Sequence, residues 1–310
     1  MEQLIIGIDT GNRCMKTRNA VFVAGMKQFD APPAVSQDVI AWNGKYYVLS
    51  NDRISYLQDK TQTEEYFVLT LFAIVKELIA RGVPLQKNVP IPVCLGVGLP
   101  PSHIARLKER FLQYFNRGQF NFRYNDYAVC LRILDVKLLA QGYAVVAGLP
   151  PDVRKSPHAY IVDIGGYTTD IMALERGALD PRFCESLDYG MIQLCNQIQR
   201  RLHLQTGKKY AENMIDEMLE SGNTDFPEQI TRTACGLAEQ YVSELLRKLL
   251  EFDVDLTVHR GVFVGGGAMK LQRWIASSDY VWNPYFVTDI RANAIGYETF
   301  VKAFESRKKA

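Results

Sequence analysis

The chain has 310 residues, 47% of them hydrophobic and 23% charged, and 36 Lys and Arg against 34 Asp and Glu leave a net charge of +2. That length exceeds the roughly 100 to 200 residues of a usual domain, so two domains are expected, and the composition excludes a disordered chain. Well-mixed charges without a basic block argue against direct binding to DNA.

Six cysteines and four histidines are scattered, with no C-x-x-C pair and no ligand spacing. This pattern argues for reduced thiols and against structural zinc. The opening MEQLIIGIDTG has a five-residue apolar run before Asp9, too short for a signal-peptide core. No stretch approaches the roughly 20 apolar residues of a membrane helix. A cytoplasmic location without membrane contact is the expectation.

Residues 4–8 form a β-branched apolar run that ends at Asp9-Thr10-Gly11-Asn12, a buried strand entering a tight turn. Residues 14–23 read as the returning strand of a hairpin, and Tyr46-Tyr47-Val48 after Asn43-Gly44 as part of another. Thr61 with Glu64 makes a capping-box pattern ahead of a helix to about Arg81, closed by Gly82. Residues 92–99 predict a strand, Pro100-Pro101-Ser102 open a helix to about residue 115, and residues 120–136 alternate as paired strands.

From Tyr160 the run IVDIGGYTTDI repeats the opening plan of apolar strand, aspartate, glycine turn and returning strand. Aligning Asp163 with Asp9 puts Gly165 on Gly11, an offset of 154 residues. Gly142 and Gly296 keep that offset, each lying 133 residues past its aspartate. A match at two places predicts a duplicated chain. Residues 191–202 and 227–250 carry helical periodicity, and residues 221–224 read as a loop. Residues 261–264 are an apolar strand running into Gly265-Gly266-Gly267, where missing side chains let a ligand approach the backbone. The basic tail Arg307-Lys308-Lys309 suits the negative end of a helix.

Two strand-end aspartates, each before a glycine turn, suit a phosphate and metal site, because amides can cradle oxygens while carboxylates hold hydrated Mg2+. Asp9-Thr10-Gly11 by itself is equally an Asx-type turn. Lys16 also fits a solvated strand lysine, Gln141 a helix cap, and Gly265 to Gly267 a plain strand-to-helix turn. No G-x-x-x-x-G-K-[ST] occurs, and Gly265-x-Gly267 lacks the third glycine of a dinucleotide fold.

Five segments resemble, in the right order, the nucleotide motifs of the actin, sugar kinase and chaperone ATPase superfamily. Gly7-Ile8-Asp9-Thr10-Gly11-Asn12 with Lys16 is similar to phosphate 1, Leu139-Ala140-Gln141-Gly142 to connect 1, and Asp163 through Asp170 to phosphate 2. Val264-Gly265-Gly266-Gly267-Ala268 is similar to the adenosine motif, and Asn293-Ala294-Ile295-Gly296 to connect 2. Gly98-Leu99-Pro100-Pro101, then a helix and strand pairs, resembles the ParM-like plasmid-segregation actins, with Ala140 where that group commonly has proline.

The resemblance implies an α/β, actin-like fold of two duplicated domains with a nucleotide cleft between them: residues 1–150, to which a helix at 291–310 returns, and residues 151–290. It implies ATP or ADP with Mg2+ as ligands. Asp9 and Asp163 then hold the metal, mostly through water, while Gly11, Asn12, Lys16, Gly165, Gly166 and Thr168 bind phosphate, the glycines through backbone donors. Gly265, Gly266, Gly267, Lys208, Lys209 and Glu212 bind the nucleoside. Gln141 orients the attacking water and Asp163 accepts its proton, while Gln141, Gly142, Asn293 and Gly296 form the hinge. The implied function is ATP hydrolysis coupled to a homopolymeric filament that segregates plasmid or other DNA through a DNA-binding adaptor protein. A small-molecule kinase and a non-polymerising scaffold ATPase of the same fold are the alternatives.

Overall fold

The opening apolar run forms β1 (Leu4–Thr10), and its last five residues are buried. A strand covered on both faces needs such a continuous apolar sequence. The computed structural model describes residues 3–34, 37–55, 57, 59–86, 89–220 and 225–309. They divide into two units, Met1–Gly148 with Arg291–Ala310, and Leu149–Ile290.

In the first unit β1 is followed by β2 (Cys14–Lys16), β3 (Val21–Val23), β4 (Met26–Phe29), β5 (Val39–Trp42), β6 (Lys45–Leu49) and α1 (Glu65–Ala80). Then come β7 (Ile91–Leu99), α2 (Pro101–Phe115), β8 (Gln119–Tyr124) and β9 (Tyr127–Ala140). The strands make one nine-stranded sheet in the order β3-β2-β1-β7-β9-β8-β5-β6-β4. Ile6, Ile8, Val93, Leu95 and Val97 pack with Phe67, Leu71 and Phe72 of α1 into a single core.

Two local expectations are corrected. The returning strand expected at 14–23 is two strands, because the chain turns at Thr17, whose N–H donates to Ala20 O at 2.8 Å. The Thr61–Glu64 capping box does not form. Asp59 instead accepts from Thr61 N at the start of a 3-10 turn, Lys60–Gln62, and α1 begins only at Glu65. Asp outranks Thr as a cap, and here it sits two residues earlier.

The second unit runs α3 (Pro151–Arg154), β10 (His158–Ile164), β11 (Thr169–Glu175), β12 (Ala178–Leu187), α4 (Met191–Thr206), α5 (Glu212–Leu219) and α6 (Glu228–Glu251). It continues through β13 (Arg260–Val264), α7 (Gly265–Lys270), α8 (Gln272–Ala276) and β14 (Tyr285–Phe286). Its sheet order is β12-β11-β10-β13-β14. This repeats the first unit's plan: β10 lies between antiparallel β11 and parallel β13, as β1 lies between antiparallel β2 and parallel β7. The loop expected at 221–224 lies outside the described residues, as do the side chains of Lys308 and Lys309 in the basic tail.

The last helix, α9 (Ala292–Lys309), belongs to the first unit and packs on β1 and β7. Its approach is close enough that a Cβ at Gly7 would fall 2.0 Å from Ala294 O. An ion network ties the same region together. Glu77 of α1 accepts from Thr17 Oγ1 at 2.6 Å, Asn19 N at 2.9 Å and Arg81 Nε at 2.7 Å. Arg81 Nη2 donates at 2.7 Å to Glu298 of α9, which also pairs with Arg18 and Lys302. No described helix is long and apolar enough to cross a membrane.

Candidate functional site

In the first unit β1 delivers Asp9 to its end, 3% exposed, directly opposite Lys16 of β2. Opposed residues on antiparallel strands project to one face, and Lys16 Nζ lies 3.0 Å from Asp9 Oδ2. Lys16 is therefore a half-buried partner of Asp9 and not a solvated strand lysine. Gly11 closes the turn, since a Cβ there would lie 2.5 Å from Cys14 O. Asn12 Oδ1 accepts from Tyr66 Oη at 2.8 Å. Thr10 Oγ1 is buried and has no hydrogen-bond partner among the described residues.

In the second unit Asp163 reaches the end of β10, also 3% exposed, and faces Asp170 of β11. Asp170 occupies the position that Lys16 occupies in the first unit, at the same 154-residue offset. One turn thus carries an aspartate–lysine pair and the other two facing carboxylates. Ser186 Oγ donates to Asp170 Oδ1 at 2.5 Å, and Thr168 Oγ1 lies 3.4 Å from Asp170 Oδ2. The turn is held from behind by α4: Met191 N donates to Gly165 O at 3.1 Å and Ile192 N to Gly166 O at 2.8 Å. Gly165 N itself donates to Thr168 O at 2.9 Å. Its amide is spent on closing the turn, which corrects the expectation that it donates to phosphate.

The glycine run after β13 is the first turn of α7. Gly265 has φ of +89°, and a Cβ there would lie 2.5 Å from Asp163 Oδ1. Gly267 is equally closed, by Ile164, whereas a Cβ at Gly266 would meet nothing within 4 Å. So the run packs against the aspartate strand at both ends and leaves open space over its middle residue. Lys208 and Lys209 are exposed after Gly207 ends α4, and Glu212 is the first residue of α5, half-buried.

The proposed hinge residues meet within the first unit. Gln141 follows β9, half-buried, with its N–H donating to Leu99 O at 2.9 Å. Gly142, at φ +77°, donates its N–H to Asn293 Oδ1 at 2.9 Å. A Cβ at Gly296 would fall 2.2 Å from Ala144 O. Gln141 is thus placed at the end of β9.

Two residues escaped the sequence reading. Asp170 was visible inside its motif, but its opposition to Asp163 needs the strand register. Lys60 carried no signal at all: its ammonium donates to Thr10 O and sits 5.0 Å over the Tyr66 ring. Neighbouring Asp59 fixes this segment. Burial disfavours its charge, yet donors from Thr61 and Arg110 outweigh that and hold its carboxyl below the usual range.

Each unit's turn by itself fits part of such a ligand: in the first, the orphaned Thr10 hydroxyl beside a glycine-closed turn suits a phosphate oxygen, and in the second, two facing carboxylates suit a hydrated cation. Among the described residues no three His, Cys, Asp or Glu side chains converge on a closed metal site.

Residues 161–276 match the family model for the archaeal actin homologue MreB-like, C-terminal. Among solved structures, a ParM from a 15-stranded filament of Clostridium botulinum is similar over 98% of this chain and 100% of its own, at 18% identity and a TM-score of 0.77. Ta0583, an archaeal actin homologue in complex with ADP, is similar over 97% and 99%, at 15% identity and 0.74. Bacillus thuringiensis ParM with ATP is similar over 98% and 100%, at 14% identity and 0.72. No curated protein sequence matches the chain. The chain has the actin-like fold, and the likeness to ParM-like actins expected from its motifs is borne out at that level.

Proposed function

We propose that this actin-like chain is a cytoplasmic ATPase that polymerises on binding ATP with Mg2+, and that its filaments segregate plasmid or other DNA through an adaptor protein. The observation that carries the reading is the repeated strand-end turn, charged differently in its two copies: Asp9 facing Lys16, and Asp163 facing Asp170. Gly11, Asn12, Gly166 and Thr168 contact phosphate oxygens, and Lys16 adds positive charge. Gly265, Gly266 and Gly267, with Lys208, Lys209 and Glu212, hold the nucleoside.

Mg2+, when bound, neutralises phosphate charge and is held through water by Asp9, Asp163 and Asp170. Phosphoryl transfer to water needs little covalent chemistry from a protein, so positioning and charge dominate. Gln141 orients the attacking water, and Asp163 takes its proton through a second water. Nucleotide loss lets the chain flex at Gln141-Gly142 and Asn293 to Gly296, and a head-to-tail contact between copies that does not close gives an open polymer. Relatives named for ParM filaments and for ADP and ATP complexes support this reading.

Asp163→Ala tests it. The variant is expected to fold normally and to lose at least about 100-fold in ATP turnover, the contribution that positioned proton transfer and charge stabilisation commonly make. Wild-type turnover in the folded variant contradicts the assignment.

A further inference from the structure

The second unit exposes large apolar side chains at two places, one beside each end of α6. Near the end of α4, Leu204 is 81% exposed. Arg200 and Arg201, both exposed, stand one turn earlier on its face, since residues three and four apart on a helix are neighbours. From residue 191 to 211 the chain has no Asp or Glu, and Lys208 and Lys209 follow the arginines. The other place joins the turn between α6 and β13 to the segment before β14. There Val258 is 69% exposed, Trp282 65% and Phe252 37%, and Trp282 N donates to Leu256 O at 2.8 Å. Residues 251–259 and 274–287 contain no Lys or Arg, and their exposed acids are Glu251, Asp253 and Asp279. The bases that bracket this turn are engaged elsewhere. Lys248 lies 5.7 Å over the Tyr189 ring, and Arg260 Nη1 lies 3.4 Å from Asp152 Oδ2.

The helix α6 sets the two places apart. Gln205, next to Leu204, donates to Thr233 Oγ1 at 3.4 Å in the second turn of α6, while Phe252 caps the far end of that helix. At 1.5 Å per residue, Thr233 and Glu251 are about 27 Å apart. Exposed apolar side chains rimmed by polar groups mark contact surfaces, and tryptophan is prominent among the residues that carry the energy of such contacts. One surface here has a basic rim and the other an acidic one. Opposite rims attract each other between copies, whereas two like rims repel. Unlike surfaces at opposite ends of one unit therefore pair head to tail, and such a contact continues as a polymer when it does not close.

We infer that Leu204 of one copy docks on the surface of Val258 and Trp282 of the next, with Arg200 and Arg201 against Glu251, Asp253 and Asp279, as the head-to-tail contact of the polymer. This rests on the polymerisation reading above and adds to it the surface that would carry it. Leucine supplies the apolar anchor, and the charges fix the register and disfavour the reversed pairing.

Pelleting of the full chain with Mg2+ and a non-hydrolysable ATP analogue tests the contact. Leu204→Asp and Trp282→Asp are each expected to raise the critical concentration at least about tenfold, because each sets a carboxylate against an apolar partner. Melting temperature and analogue affinity are expected to stay at wild-type values. Charge reversal probes the same contact without changing an apolar side chain. Arg200→Glu with Arg201→Glu is expected to suppress pelleting, and adding Asp253→Lys with Asp279→Lys to restore it. Variants that pellet at the wild-type concentration, or a reversal that the second reversal does not restore, overturn the inference and leave polymerisation standing. A wild-type chain that stays in the supernatant at every concentration overturns the polymerisation reading itself, and this inference with it.

Discussion

At the scale of single residues, the glycines after β13 make different demands. Gly265 has no room for a side chain: its φ of +89° is costly for an L residue, and a Cβ would press on Asp163 Oδ1 at 2.5 Å. Gly266 faces open space. Gly265→Ala is therefore expected to displace the carboxylate and abolish measurable ATP turnover with a lowered melting temperature. Gly266→Ala is expected to melt like the wild type yet bind nucleotide more weakly, because its methyl occupies the space proposed for the nucleoside. Melting curves and nucleotide titrations check both, and equal behaviour of the two variants contradicts the assignment. The motif spelling shows three identical residues, and only the packing of Ile164 and Asp163 distinguishes them. Asp9 and Asp163 were legible because apolar strands announce their own ends. Lys60 was not, since its reach depends on a 3-10 turn that a capping pattern misplaced.

At the scale of elements, α1 and α9 are joined to the β2–β3 turn through two carboxylates that lie almost wholly within the protein. Glu77 is fully buried and Glu298 1% exposed. Burial pushes the Glu77 carboxyl up, but donors from Thr17, Arg81 and the Asn19 amide, with the Arg81 charge, outweigh it and bring it below the ordinary value of 4.5. A carboxylate held lower in the folded chain than in the unfolded one stabilises fully above the unfolded value, and that stability is lost as pH falls through the folded value. Thermal stability is expected to decline as pH drops below about 4.5. Glu77→Gln is expected to cost about 3 kcal/mol at neutral pH, because Arg81 loses a buried partner, and to flatten the acid decline. Denaturant melts across pH decide this, and an unchanged acid slope in the variant contradicts it. The return of the last helix was expected from the resemblance, but the meeting of Glu77 and Arg81 with Glu298 was not legible in the sequence. Residues 77, 81 and 298 meet only because α9 returns to the first unit, and glycines at 7 and 296 allow its close approach.

For the whole molecule, the duplication was the most informative feature of the sequence, and the sheets show why. A 154-residue offset relates not only the two aspartates but also Lys16 and Asp170, which face them across equivalent strand pairs. The sheets share β3-β2-β1-β7-β9 and β12-β11-β10-β13-β14 as one plan. The first unit's extra strands β8, β5, β6 and β4 extend that plan and have no counterpart. β8 and the hairpin of β5 and β6 were visible as alternation and turn residues, which identify strands without fixing their order, and β4 was not visible. Nucleotide can shift such a chain between states only by as much as it binds one state better, so polymerisation should follow the triphosphate. The most direct test is right-angle light scattering of the purified chain on addition of ATP and Mg2+. The account predicts a rise above a critical concentration, sustained by a non-hydrolysable analogue and decaying as ATP becomes ADP. Scattering that stays flat at every protein and nucleotide concentration would contradict it.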